Sequence, residues 1–151
     1  MAGRILACVD PSPSGRQALA SAIEMAVKFG RGLTLLTVLA GSEADSHPDL
    51  DRLVPIDSEG RSIQRVLEDA QAEATKRGVS STEIVYLRGD PLDAILAYLE
   101  KASPELVVVG TRGRSRGSRL LLGSVSSRLV SEAPCPVLVV RPVRRPAAKP
   151  A

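Results

Sequence analysis

The sequence predicts an α/β fold, a three-layer sandwich in which a five-stranded parallel sheet carries helices on both faces. Two observations predict it. Five short apolar runs alternate along the chain with four stretches of helical period, and each crossover then carries a helix that must cover a sheet face, which makes the strand pairing parallel. The chain has 151 residues, of which 44% are apolar and only 2% aromatic. A chain of this length buries roughly 68–70% of the surface its unfolded form exposes, so it can build one domain around an aliphatic core without metals or disulfides.

Each element has its own signal. Ile5 to Val9 is an apolar run that stops at Asp10, and Leu33 to Leu39 is another, both reading as strands buried on two faces. Between them Ala18, Leu19, Ala22, Ile23, Ala26 and Val27 recur at the spacing of one helix face. Ser12 is placed as its N-cap, Pro13 at its first position and Gly30 at its stop. Ser42 to Gly60 is polar, holds Pro48 and Pro55 and shows no period, so a long connection is expected there. Ile63, Val66, Leu67, Ala70 and Ala74 mark a second helix closed by Gly78, and Thr82 to Leu87 the third strand. Asp90 and Pro91 open a helix whose face is Leu92, Ile95, Leu96 and Leu99, and Pro104 follows it. Leu106 to Val109 is the fourth strand, Val125, Leu129 and Val130 mark the last helix, and Pro136 to Val140 is the fifth strand. The domain is expected over residues 1–141, with Pro142 to Ala151 a disordered basic Pro/Ala tail.

Composition excludes several classes. Twenty Lys and Arg stand against 17 Asp and Glu, a formal net charge of +3, too slight by itself for a nucleic-acid binder. Phe29, Tyr86 and Tyr98 are scattered, which disfavours a base-stacking platform. Cys8 and Cys135 lie far apart and form no C-x-x-C pair, reading as two small buried apolar residues in a reducing compartment. The opening stretch is too short for a secretory apolar segment, and no run approaches a membrane span. A cytoplasmic protein is therefore expected. His47, the single histidine, falls in the polar connection, leaving neither a Ser-His-Asp apparatus nor a histidine-rich metal site. A phospho-accepting receiver would use Asp10, but Arg141 stands where its Lys is needed.

The chemistry concentrates between Val107 and Val130. A buried strand opens there into a loop with Gly110, Gly113, Gly117 and Gly123 and four arginines, Arg112, Arg114, Arg116 and Arg119. Glycine allows close backbone approach and inward-turned amides, an anion-binding nest. A helix starting near Ser124 adds its unpaired N–H groups and positive dipole end, and Ser124 and Ser126 add hydroxyls. No Lys follows these glycines as a Walker loop requires, and no G-x-G-x-x-G follows the first strand. In open α/β sheets ligands bind beyond the carboxyl ends of the strands, which selects Asp10, Val38 and the loop after Val109.

The spacing of Gly110, two residues, Gly113, nine residues, Gly123 and Ser124 resembles the nucleotide-binding signature of the universal stress protein family. The likeness extends to VDPS at the end of the first strand, TLLTVLA, RGDPLDAIL, LVVVG and the closing PCPVLVV. It implies a Rossmann-like, adenine nucleotide alpha hydrolase-like fold and an ATP site, with Mg2+ held mostly by the phosphates and water. By the same resemblance Asp10 lies at the adenine and Val38 holds it through backbone groups, and Gly110, Gly113, Gly123 and Ser124 surround the phosphates, with Val109, Val125 and Ser126 beside them. At least one of Arg112, Arg114, Arg116 and Arg119 is expected to contact phosphate; the residues leave open which, and Arg112 is carried as the candidate. A sensing or regulatory role is implied, with at most slow ATP hydrolysis or self-phosphorylation, since no positioned general base is visible. The resemblance also implies a homodimer through Pro136–Val140, which closes an open apolar sheet edge. The rival reading is a nucleotide-free interaction module that uses the basic loop 112–119 to bind an acidic protein or nucleic acid.

Overall fold

The computed structural model describes residues 3–10, 13–39, 62–111 and 123–142. Strand β1 (Arg4–Cys8) leads into helix α1 (Pro13–Phe29), then β2 (Gly32–Leu39), α2 (Ile63–Lys76), β3 (Thr82–Arg88), α3 (Pro91–Ala102), β4 (Leu106–Gly110), α4 (Ser124–Glu132) and β5 (Val137–Val140). The strands form one sheet in the order β3-β2-β1-β4-β5, all pairs parallel. The fold class expected from the sequence is the one observed. Ser12 and the connection 42–60 lie outside the described residues.

Strand periodicity sorts the side chains into two cores. Ile5, Ala7, Leu33, Leu35, Leu39 and Val108 face one side of the sheet, where they pack with Ala18, Ala22, Ile23 and Ala26 of α1 and with Ile63, Leu67 and Ala74 of α2. Leu6, Leu36, Val107 and Val109 face the other, under Leu92, Ile95 and Leu99 of α3 and Leu129 of α4. Both cores are aliphatic. Each fully buried Leu stabilises the fold by about 1.5–3 kcal/mol relative to exposure, which is why near-continuous apolar runs persist in β1, β2 and β4.

The helices start and stop by local chemistry. The Ser62 Oγ accepts the Arg65 amide at 3.2 Å and Asp90 Oδ2 accepts the Asp93 amide at 3.1 Å, with Pro91 opening α3. Gly30 and Gly78 follow α1 and α2 at positive φ, as their places in the sequence lead one to expect. Ser103 ends α3 in the left-handed region, before Pro104.

Two residues depart from the expected helix faces. Val27 is 37% exposed and Val130 is 53% exposed. Each sits one position, about 100° of helix rotation, beyond the last deeply buried residue of its stripe, Ala26 and Leu129 respectively. Apolar character extended the pattern past the edge of the contact.

The amino ends of the strands are tied by Arg4. Its guanidinium donates to Thr34 Oγ1 at 3.0 Å, Ser81 Oγ at 2.9 Å and the Leu33 carbonyl at 2.9 Å, and Thr34 in turn donates to Glu83. That end of the sheet is stitched by hydrogen bonds across β1, β2 and β3.

Candidate functional site

At the carboxyl ends the strand order reverses. From β1 the chain crosses by α1 to β2 on one side, and from β4 it crosses by α4 to β5 on the other, so β1 and β4 are neighbours whose following helices diverge. Such a switch point opens a crevice lined by the loops after both strands.

One wall is the end of β1. The Val9 amide donates to the Leu36 carbonyl at 2.7 Å, and the buried Thr37 hydroxyl donates to the Val9 carbonyl at 2.9 Å. Both polar groups of Val9 are thereby fixed to β2, which delivers Asp10 beside Val38. Along β2, successive residues turn their main-chain groups to opposite neighbours. Leu36 faces β1 through the Val9 bond and Leu39 faces β3 through its bond from Gly89, so Val38 directs its amide and carbonyl to the β1 side, level with the segment that leaves β1. The Val38 side chain is half-buried against the α3/α4 core, which leaves recognition there to the main chain.

The other wall follows β4. Thr111 continues the ladder by donating its amide to the Val140 carbonyl at 3.0 Å, and its own carbonyl accepts both the Gly123 amide and the Ser126 hydroxyl, the latter at 3.0 Å. This clasp sets the start of α4 against the end of β4. Gly123 is the N-cap of α4 and has no side chain to accept the first amides of the helix. Those amides, at Ser124, Val125 and Ser126, point out of the helix end with the positive pole of its dipole, an arrangement that suits an anion.

The expected residues fall into three groups. Asp10, Val38, Gly110, Gly123 and Ser124 stand at the ends of β1, β2 and β4 and at the start of α4, and Val125 is half-buried one residue further. Val109, 4% exposed, belongs to the α3/α4 core, and Ser126, 3% exposed, spends its single proton on the Thr111 and Gly123 carbonyls, so it ties the start of α4 to the end of β4. Arg112 and Gly113, with Arg114, Arg116, Gly117 and Arg119, lie outside the described residues. Among the described residues no group of His, Cys, Asp and Glu is placed to hold a metal ion, and no helix is long and apolar enough to cross a membrane.

Sequence reasoning missed Thr37, Thr111, Ser14 and Gly15. The first three are polar yet buried, at 4%, 4% and 2% exposure. A threonine interrupting an apolar strand, as Thr37 does, is the signal that could have found one of them, since a buried hydroxyl needs a partner.

The model of the universal stress protein family matches residues 1–141. The chain belongs to that family. Universal stress protein YxiE of Bacillus subtilis is 32% identical over 151 residues, covering 93% of this chain and all of the relative. Among solved structures, a universal stress protein in complex with cAMP matches with a TM-score of 0.74 and 23% identity, covering 94% of this chain and 99% of that one. A family protein of Arabidopsis thaliana with AMP bound matches with a TM-score of 0.66 and 23% identity over 97% of each chain. The family membership agrees with the resemblance read from the glycine spacing and the strand segments.

Proposed function

We propose that this chain is an ATP-binding universal stress protein that works in the cytoplasm as a sensor or regulator. Adenine lies against Asp10 and the main chain of Val38, and the phosphates lie on Gly110, Arg112, Gly113, Gly123 and Ser124. The observation that carries this reading is the clasp at Thr111, which sets an uncapped helix start beside the end of β4 at the switch point. The cAMP and AMP complexes of structurally similar proteins support it.

The magnitudes are consistent. A helix-end contact contributes about 0.3–2 kcal/mol and a charge-assisted hydrogen bond about 1.5–3 kcal/mol, so several must converge to reach the ~8 kcal/mol of a micromolar ligand. A divalent ion would be held mostly by the phosphates and water, since the described residues hold no cluster of three or more His, Cys, Asp or Glu placed for one. Turnover is slow in this account, because Asp10 stands at the base end, away from the terminal phosphate, and supplies no base there. The protein acts as a homodimer joined along β5.

Titration calorimetry with ATP is the test. The wild type binds in the micromolar range and Gly113→Val abolishes the heat; equal heats in the two proteins overturn the proposal. DNA retention that weakens with salt and survives Gly113→Val favours the nucleotide-free interaction module instead.

A further inference from the structure

Gly15 lies buried in the first turn of α1, against Asp10. A Cβ built on Gly15 would stand 2.6 Å from the Asp10 carbonyl oxygen and closer still to Oδ1 of its carboxylate. No side chain fits there unless Asp10 moves. The same helical turn also meets β4: a Cβ on Gly110 would stand 2.6 Å from Ser14 Oγ, 2.7 Å from the Ser14 carbonyl carbon and 2.9 Å from the Gly15 nitrogen. The first turn of α1 therefore lies in close contact with both Asp10, just past β1, and Gly110, the last residue of β4. Glycine is a poor helix former, so helix formation does not explain its presence at position 15. The contact with Asp10 does.

We propose that Gly15 is a positioning residue that sets base preference: the missing side chain lets the first turn of α1 seat Asp10 where its carboxylate meets the nucleobase. This inference rests on the nucleotide reading above. A Cβ on Gly15 meets only Asp10 among its three nearest atoms, whereas the hydrogen bonds that join the end of β4 to the start of α4 run through Thr111, Gly123 and Ser126, so the substitution acts first on Asp10.

Binding of ATP, GTP and inorganic tripolyphosphate to the full chain separates the two ends of the site. In Gly15→Ala the preference for ATP over GTP falls about tenfold or more, the loss expected of one misplaced charge-assisted hydrogen bond, and tripolyphosphate affinity is unchanged. The double variant Gly15→Ala, Asp10→Ala loses no more preference than Asp10→Ala alone, because both changes remove one contact. Asp10→Glu is the gentler arm, pushing a longer carboxylate against the same turn without altering the backbone, and it too loses preference. It decides the matter should Gly15→Ala fail to fold. Retained preference in Gly15→Ala or in Asp10→Glu overturns the positioning role, as does a parallel fall in tripolyphosphate affinity. Loss of preference in Asp10→Ala with full preference in Gly15→Ala overturns that role alone, whereas a wild type that binds no nucleotide overturns the functional reading as well.

Discussion

Cys8 shows how the core bears on the chemistry above it. It precedes Asp10 by two residues and packs with Val38, Val109 and Val125 in the α3/α4 core. Burial pushes its thiol up from 9.0 to about 12, and the nearby Asp10 carboxylate and Cys135 add to the shift. A thiolate is the reactive form, so Cys8 stays inert near neutral pH. The linkage has a definite sign. Below pH 9 the thiol is protonated in both folded and unfolded chains and its contribution to stability is complete; between pH 9 and 12 only the unfolded chain releases the proton, and that contribution is lost. Urea stability is therefore expected to fall over this window, with Cys8 adding a slope of at most about 1.4 kcal/mol per pH unit. Tyr86 and Tyr98, also raised chiefly by burial, bend the curve the same way, so Cys8→Ala isolates the cysteine. Its profile should be flatter, and an identical slope in the variant contradicts the assignment. At this scale the sequence was partly readable. Asp10 and Gly110 stand out as a charge and a glycine closing apolar runs, whereas Thr111 acquires meaning only from Gly123, Ser126 and Val140, far along the chain, and Gly15 only from the close approach of Asp10 in space, which no local pattern reveals.

Caps and periodicity made the elements legible, because Ser62, Asp90 and Pro91 act on amides three residues away or less and the stripes of α2 and α3 are dense. Val27 and Val130 misled because an apolar residue at a stripe's margin costs little when exposed. Strand β5 is the element with an unresolved need. It pairs with β4 alone among the described strands, and all four of its residues are partly exposed. The Pro136 and Val140 carbonyls accept from Val107 and Thr111, so alternation turns the main-chain groups of Val137 and Val139 to the outer edge. An open edge of this kind invites pairing with a second copy. Sedimentation at micromolar concentration is expected to show a dimer, and Val139→Pro, which removes an outward N–H and leaves the β4 ladder intact, a monomer. A monomeric wild type, or a variant that still dimerises, contradicts pairing along this edge.

At the scale of the whole molecule, alternating strands and helices gave the layers but not the order of the strands, since hydrophobic period tells inside from outside and says nothing about which strand lies beside which. The placement of β1 next to β4 is what brings Asp10, Val38 and the start of α4 to one end of the sheet; the rule that ligands bind at strand carboxyl ends and the resemblance to a known family both anticipated that grouping, while periodicity did not. The opposite end is closed by Arg4, Thr34, Ser81 and Glu83 and makes a natural control. The most direct test of a nucleotide site at the carboxyl ends is the change in backbone amide resonances as ATP is added to the isotope-labelled chain. Shifts are expected to concentrate at Asp10, Val38, Gly110 and Gly123–Ser126, with Ser81 and Glu83 unmoved; a spectrum unchanged by saturating ATP, or shifts gathered at the Arg4 end, contradicts a nucleotide site there.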